Sequence, residues 1–178
     1  VAGFASGVES DVPVPTAATY NNAAAAEAAK HLAALLGGKG SVALVSHDQT
    51  SQTGIDRRDG FVTWMKANAP GITLLDPQYT NSDLAKAADI TKAIIASHAD
   101  LAGISASNDA AAEGVAKGIQ DSAKKGLIVV GFDYGKAKLT GIRDGSHAGT
   151  ITTDTVSHGA HSGRAGRRRL AGVSAPKS

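Results

Sequence analysis

Residues 101–135 read LAGISASNDAAAEGVAKGIQDSAKKGLIVVGFDYG. Two short apolar runs, LAGISAS at 101–107 and LIVVGF at 127–132, flank an alanine-rich stretch at 110–125. The runs have the length and branched side chains of strands, and the stretch between them has the length of a helix. A strand, a helix and a second strand of these lengths must place both strands parallel, because the crossover consumes the return path. Such crossovers are right-handed. Each strand ends on polar residues, SND at 107–109 and Asp133.

The same alternation extends outward in both directions. Further strands are expected at SVALVS (41–46), ITLLD (72–76) and HAGTIT (147–152), with helices at 22–36, 55–68, 83–98 and 136–144. In the second of these helices Phe61, Trp64 and Met65 recur at helical spacing. Strands alternating with helices imply an α/β fold, a doubly wound parallel sheet with flanking helices. Residues 1–19 stand outside the pattern, with Pro13 and Pro15 opposing helix and one weak strand at most. They read as an incoming crossover. Residues 157–178 could form a last helix that carries the basic run 164–169 and frays at its end.

Composition narrows the function classes. At 178 residues the chain holds one full α/β domain plus an appendage rather than two domains. Eighteen basic against 16 acidic residues give a net charge of +2, too small to steer the molecule towards nucleic acid or anionic lipid. The chain has no cysteine, so thiolate metal sites and cysteine nucleophiles are excluded. The glycine cluster GGKG at 37–40 follows a helix and precedes a strand, the reverse of a dinucleotide-binding turn, and no GxxxxGK[ST] motif is present. His158 and His161 are three apart but lack a third ligand, and His31, His47, His98 and His147 read as scattered, solvated residues. Neither an enzyme nor a bound cofactor or metal is expected.

In an open parallel sheet, ligands sit beyond the carboxyl ends of the strands. Three residues of complementary type fall there. Asp133 could accept hydrogen bonds from two hydroxyls, or it could cap the following helix. Asn108 could donate to and accept from a hydroxyl, or cap its own helix with Asp109 supporting the dipole. Arg57, in GIDRRDGF, offers a rigid fan of donors, although a surface pair with Asp56 or Asp59 would serve either Arg57 or Arg58.

The segments GGKGSVALVS (37–46), IDRRDGF (55–61), 79–119 and IVVGFDYGKAKLTGIRDGSHAGTIT (128–152), in this order and spacing, resemble the ribose-type periplasmic binding proteins of sugar importers. Repressors of the lactose and ribose type share that ligand-binding fold. The resemblance covers almost the whole chain and implies a type I periplasmic-binding-protein lobe. It implies that the arginine of RxxGF, the asparagine of SND and the aspartate of GFD bind sugar hydroxyls; here they are Arg57, Asn108 and Asp133. The family often has a glutamine where this chain has Thr153, which becomes a fourth candidate, and commonly an aspartate where this chain has Ala5. The C-terminal stretch HGAHSGRAGRRRL (158–170) also departs from the family's alternating apolar pattern.

The resemblance further implies a division into 1–19, the crossover from an N-terminal lobe; 20–152, the C-terminal sugar-binding lobe; and 153–178, a crossover and C-terminal helix. The family's first lobe would precede Val1, and half a cleft should bind weakly. The implied function is binding of a pentose or hexose by a monomeric, periplasmic or otherwise extracytoplasmic protein, for delivery to the membrane permease of an ABC-type importer, with no nucleic acid involved. The alternative is the ligand-binding domain of a sugar-responsive regulator. A helix-turn-helix upstream of Val1 would distinguish it from an importer's secretion signal.

Overall fold

The computed structural model describes residues 21–132 and the backbone of three short strands, 3–5, 16–18 and 149–151. In chain order the elements are β1 (Gly3–Ala5), β2 (Thr16–Ala18), α1 (Asn21–Leu35), β3 (Gly40–Ser46), α2 (Gln52–Asn68), β4 (Ile72–Leu74), β5 (Gln78–Tyr79), α3 (Leu84–Ser97), β6 (Leu101–Ala106), α4 (Asp109–Asp121), β7 (Ile128–Phe132) and β8 (Gly149–Ile151). The main sheet runs β4-β3-β6-β7-β8 with β5 also paired to β3, and every pairing is parallel. This is the expected doubly wound α/β architecture.

Both faces of the sheet are covered, so apolar residues in its central strands run on consecutive rather than alternate positions, as in Val42–Val45 and Ile128–Val130. Val42, Leu44, Val130 and Phe132 point into one core with Ala25, Ala28, Ala29 and Leu32 of α1 and Phe61 and Met65 of α2. Ala43, Val45, Ile104 and Val129 point into the other, with Ala87 and Ile94 of α3 and Val115 of α4. Trp64 is half-buried against the first core. The glycines after α1 end it: Gly38 N–H donates to Ala33 O and Gly37 N–H to Ala34 O, with positive φ at both. That pair of bonds is a Schellman stop, and the left-handed backbone it requires suits glycine.

Three expectations are corrected. The strand expected over 72–76 stops at Leu74, and the chain rejoins β3 only at Gln78–Tyr79. Pro77, with no N–H to donate, lies in the break. Helix α2 starts at Gln52, not residue 55, because Ser51 caps it by accepting Gly54 N–H at 3.1 Å. The polar, glycine-containing first turn reads as loop in the sequence. Within 1–19 there are two strands rather than one, β1 and β2, paired in parallel from Gly3–Thr16 to Ala5–Ala18. Strands of only three residues leave no periodicity to read. The helix expected at 136–144, the one expected after residue 157, and the domain boundaries at 19/20 and 152/153 lie outside the described residues.

Candidate functional site

The chain enters the sheet at β3, steps outward to β4, then returns across β3 to β6. The winding therefore reverses between β3 and β6, and in open parallel sheets it is beyond the carboxyl ends of the strands at such a point that a crevice for ligands is expected. His47 and Asp48 follow β3 there, and Ser107 and Asn108 follow β6.

His47 ties the two ends together. Its backbone N–H donates to Ser107 Oγ at 2.8 Å, and its ring Nδ1 lies 2.7 Å from the same oxygen. Ser107 N–H in turn donates to Val45 O. His47 is buried, and its Nε2 lies 3.6 Å from Asp48 Oδ2. This corrects the solvated reading of His47. Its burial comes from pairing with a residue 60 positions away, which its own neighbours in sequence do not reveal.

Asp48 organises the start of α2. Its carboxylate accepts Thr50 N–H at 2.9 Å, Ser51 N–H at 2.7 Å and Ser51 O–H at 2.8 Å. Burial pushes its pKa up, but the hydrogen bonds from Ser51 and Thr50, aided by the field of His47, outweigh that and hold it below the usual aspartate value. An aspartate lowered on folding stabilises the native state above its unfolded pKa of about 4, and that stability is lost as pH falls through the native value. Asp48→Ala is expected to cost about 1–2 kcal/mol at pH 7, the scale of a helix-start carboxylate. The gap between wild type and variant should shrink in urea denaturation as pH drops from 5 to below about 4; a gap independent of pH would contradict this role.

Arg57 stands one turn further along α2, on its buried face and only 8% exposed. Nε donates to Asn21 Oδ1 at 2.9 Å, Nη1 donates to Ser107 O at 2.5 Å, and the guanidinium carbon lies 4.4 Å from the centre of the Phe132 ring. A cation over an aromatic face is stabilised by the ring quadrupole. The neighbouring arginine behaves differently. Arg58 is a partly exposed residue bonded to Asp59 at 2.6 Å, and hydrogen bonds to Asp59 and Tyr79 raise its pKa. Of the two arginines, it is Arg58 that makes the pair with Asp59.

Asn108 is half-buried and caps α4, its Oδ1 accepting Ala111 N–H at 2.9 Å while Nδ2 donates to Ser82 Oγ at 3.2 Å. Ser82 and Asn81 both have positive φ, and Ser82 N–H donates to His47 O. Two consecutive left-handed non-glycine residues beside the crevice mark a conformation held by its surroundings. Arg57 and Asn108 thus meet at the end of β6, with Ser107 between them. Asp133 follows β7 in the sequence and Thr153 follows β8, but both lie outside the described residues. Asn21, Ser107 and His47 were not singled out by the sequence. An open hollow of about 380 Å³, lined by Leu74, Leu75, Asp76, Gln78, Ile94 and His98, lies apart from this site, beside the outer strands.

The model of the periplasmic binding protein domain matches residues 2–172. The chain belongs to that family. Similar solved structures agree with the assignment. A solute-binding protein of an ABC transporter from Agrobacterium vitis, bound to α-D-tagatopyranose, is 30% identical, with a TM-score of 0.89 over 96% of this chain and 57% of its own. A second from Agrobacterium vitis, with bound D-fucose, is 27% identical, with a TM-score of 0.91 over 99% of this chain and 61% of its own. A carbohydrate transporter solute-binding protein from Agrobacterium radiobacter, in complex with D-arabinose, is 23% identical and supports the fold, with a TM-score of 0.93. This periplasmic binding protein domain therefore spans less than two thirds of the length of such relatives. No curated protein matches the sequence. The family is one of solute-binding proteins rather than enzymes.

Proposed function

We propose that the chain is the C-terminal ligand-binding lobe of an extracytoplasmic, monomeric protein that holds a pentose or hexose for delivery to the permease of an ABC-type importer. The observation that carries this reading is the convergence of Arg57 and Asn108 beside Ser107, at the point where the sheet reverses its winding. The sugars bound by the Agrobacterium vitis proteins, α-D-tagatopyranose and D-fucose, supply the ligand class. Arg57 and Asn108 would contact ring and hydroxyl oxygens, joined by Asp133 and Thr153 from the ends of the neighbouring strands. A first lobe would close over the ligand, and affinity would come from both lobes together. No covalent bond is made or broken.

The test is calorimetric titration of the full-length protein with D-tagatose, D-fucose and D-arabinose. Saturable binding of at least one is expected, and no heat with any of them would sink the reading. Asp133 is the sharpest single probe within it. Asp133→Ala should cost about 1.5–3 kcal/mol of binding, the scale of a hydrogen bond to a charged group, or roughly 10-fold to 150-fold in Kd. An unchanged Kd would remove Asp133 from the site.

A further inference from the structure

The geometry points to Asn21 as a positioning residue for the sugar site, acting through Arg57, with the glycine of the RxxGF motif as the feature that lets it reach. This inference rests on the sugar-binding reading above. Asn21 is the first residue of α1 and is only 3% exposed, a rare place for an amide unless it is hydrogen-bonded. Its Oδ1 accepts Nε of Arg57, 36 residues along the chain. That bond fixes the torsion about the end of the arginine side chain. With Nη1 on Ser107 O and Phe132 against the planar face, the guanidinium is held at three points among the described residues. An arginine set before ligand arrives loses less freedom on binding than one that must be ordered by the sugar.

Gly60 explains how α1 comes so close. It stands three residues after Arg57, on the same face of α2. A Cβ added there would sit 2.1 Å from Asn22 O and 2.9 Å from Asn22 Cα, far inside contact distance. The bare backbone of α2 at Gly60 therefore accepts the first turn of α1, and this contact brings Asn21 level with Arg57. The spacing of arginine and glycine in the motif is then a single device: one residue reaches for the ligand, and the other admits the helix end that aims it.

The experiment uses the full-length protein, with Asn21→Ala, which removes the acceptor, and Asn21→Asp, which keeps it. Two readouts are needed: sugar affinity by calorimetry, and the Nε–H resonance of Arg57 in a nitrogen–proton correlation spectrum of the sugar-free protein. In the parent that resonance should be slowly exchanging. Asn21→Ala should lose the slow exchange and weaken sugar binding about tenfold, the scale of one hydrogen bond to a charged group. Asn21→Asp should restore both. The inference is overturned if slow exchange survives Asn21→Ala, or if Asn21→Asp recovers the resonance without the affinity. If the resonance follows Asn21 as expected but the parent binds none of the sugars, the contact between Asn21 and Arg57 stands and the sugar-binding reading is the part that fails.

Discussion

Gly60→Ala is expected to destabilise the protein by about 2 kcal/mol, and Gly60→Val by more, as overpacking against a contact that cannot yield. In the interior of an ordinary helix the same glycine-to-alanine change gains close to 1 kcal/mol, because alanine is the better helix former. The sign reverses here because the atoms that a new Cβ would meet are the carbonyl oxygen, carbonyl carbon and Cα of Asn22, all backbone. No side chain can rotate out of the way. The first turn of α1 would have to lift, and Ala25, Ala28 and Leu32 behind it are packed without exposure. Urea denaturation of the full-length protein measures the effect. A midpoint equal to or above wild type for Gly60→Ala would mean that the two helices do not touch at this point.

The second large effect is expected at Arg57. Truncation to alanine leaves two buried acceptors, Asn21 Oδ1 and Ser107 O, without the donors that now satisfy them, and uncovers the Phe132 ring. At about 1–2 kcal/mol per stranded acceptor, the variant should lose roughly 2–4 kcal/mol of stability. Sugar affinity should fall at least about 100-fold, since a charged donor to the ligand disappears together with the order around it. Arg57→Lys separates charge from geometry. An ammonium keeps the charge but cannot hold Asn21 and Ser107 as a planar fork does, so lysine should recover only part of the affinity. Wild-type Kd in a folded Arg57→Ala protein would exclude the residue from the site.

The sheet is legible in the sequence because strands buried on both faces carry consecutive apolar residues, and VALV at 42–45 and IVVGF at 128–132 can hardly be read otherwise. Irregular pieces are less visible. The three-residue strands β1 and β2, the break at Asp76 and Pro77 and the polar first turn of α2 are decided by pairing partners or caps rather than by periodicity. The site divides in the same way. Asn108 stands out because it follows a strand, and both it and Arg57 sit in recognisable motifs. Asn21 and His47 are defined by partners 36 and 60 residues away. The one sequence signal that bears on Asn21 is Gly60, whose missing side chain implies a close neighbour without naming it.

The broken outer strand has a consequence for encounters between two copies of this chain. A long bare strand edge exposes a row of donors and acceptors, a template on which a second molecule can add its own strand. Here the outer side of β3 is covered by three residues of β4 and two of β5, with Pro77 between them, so that side presents only fragments of a ladder. Neither fragment is long enough to nucleate a shared sheet between molecules, and the proline would interrupt any strand that tried to run past it. The irregularity is expected to discourage self-assembly, and replacing Pro77 with a β-branched residue such as valine should raise the tendency to aggregate, as light scattering would measure.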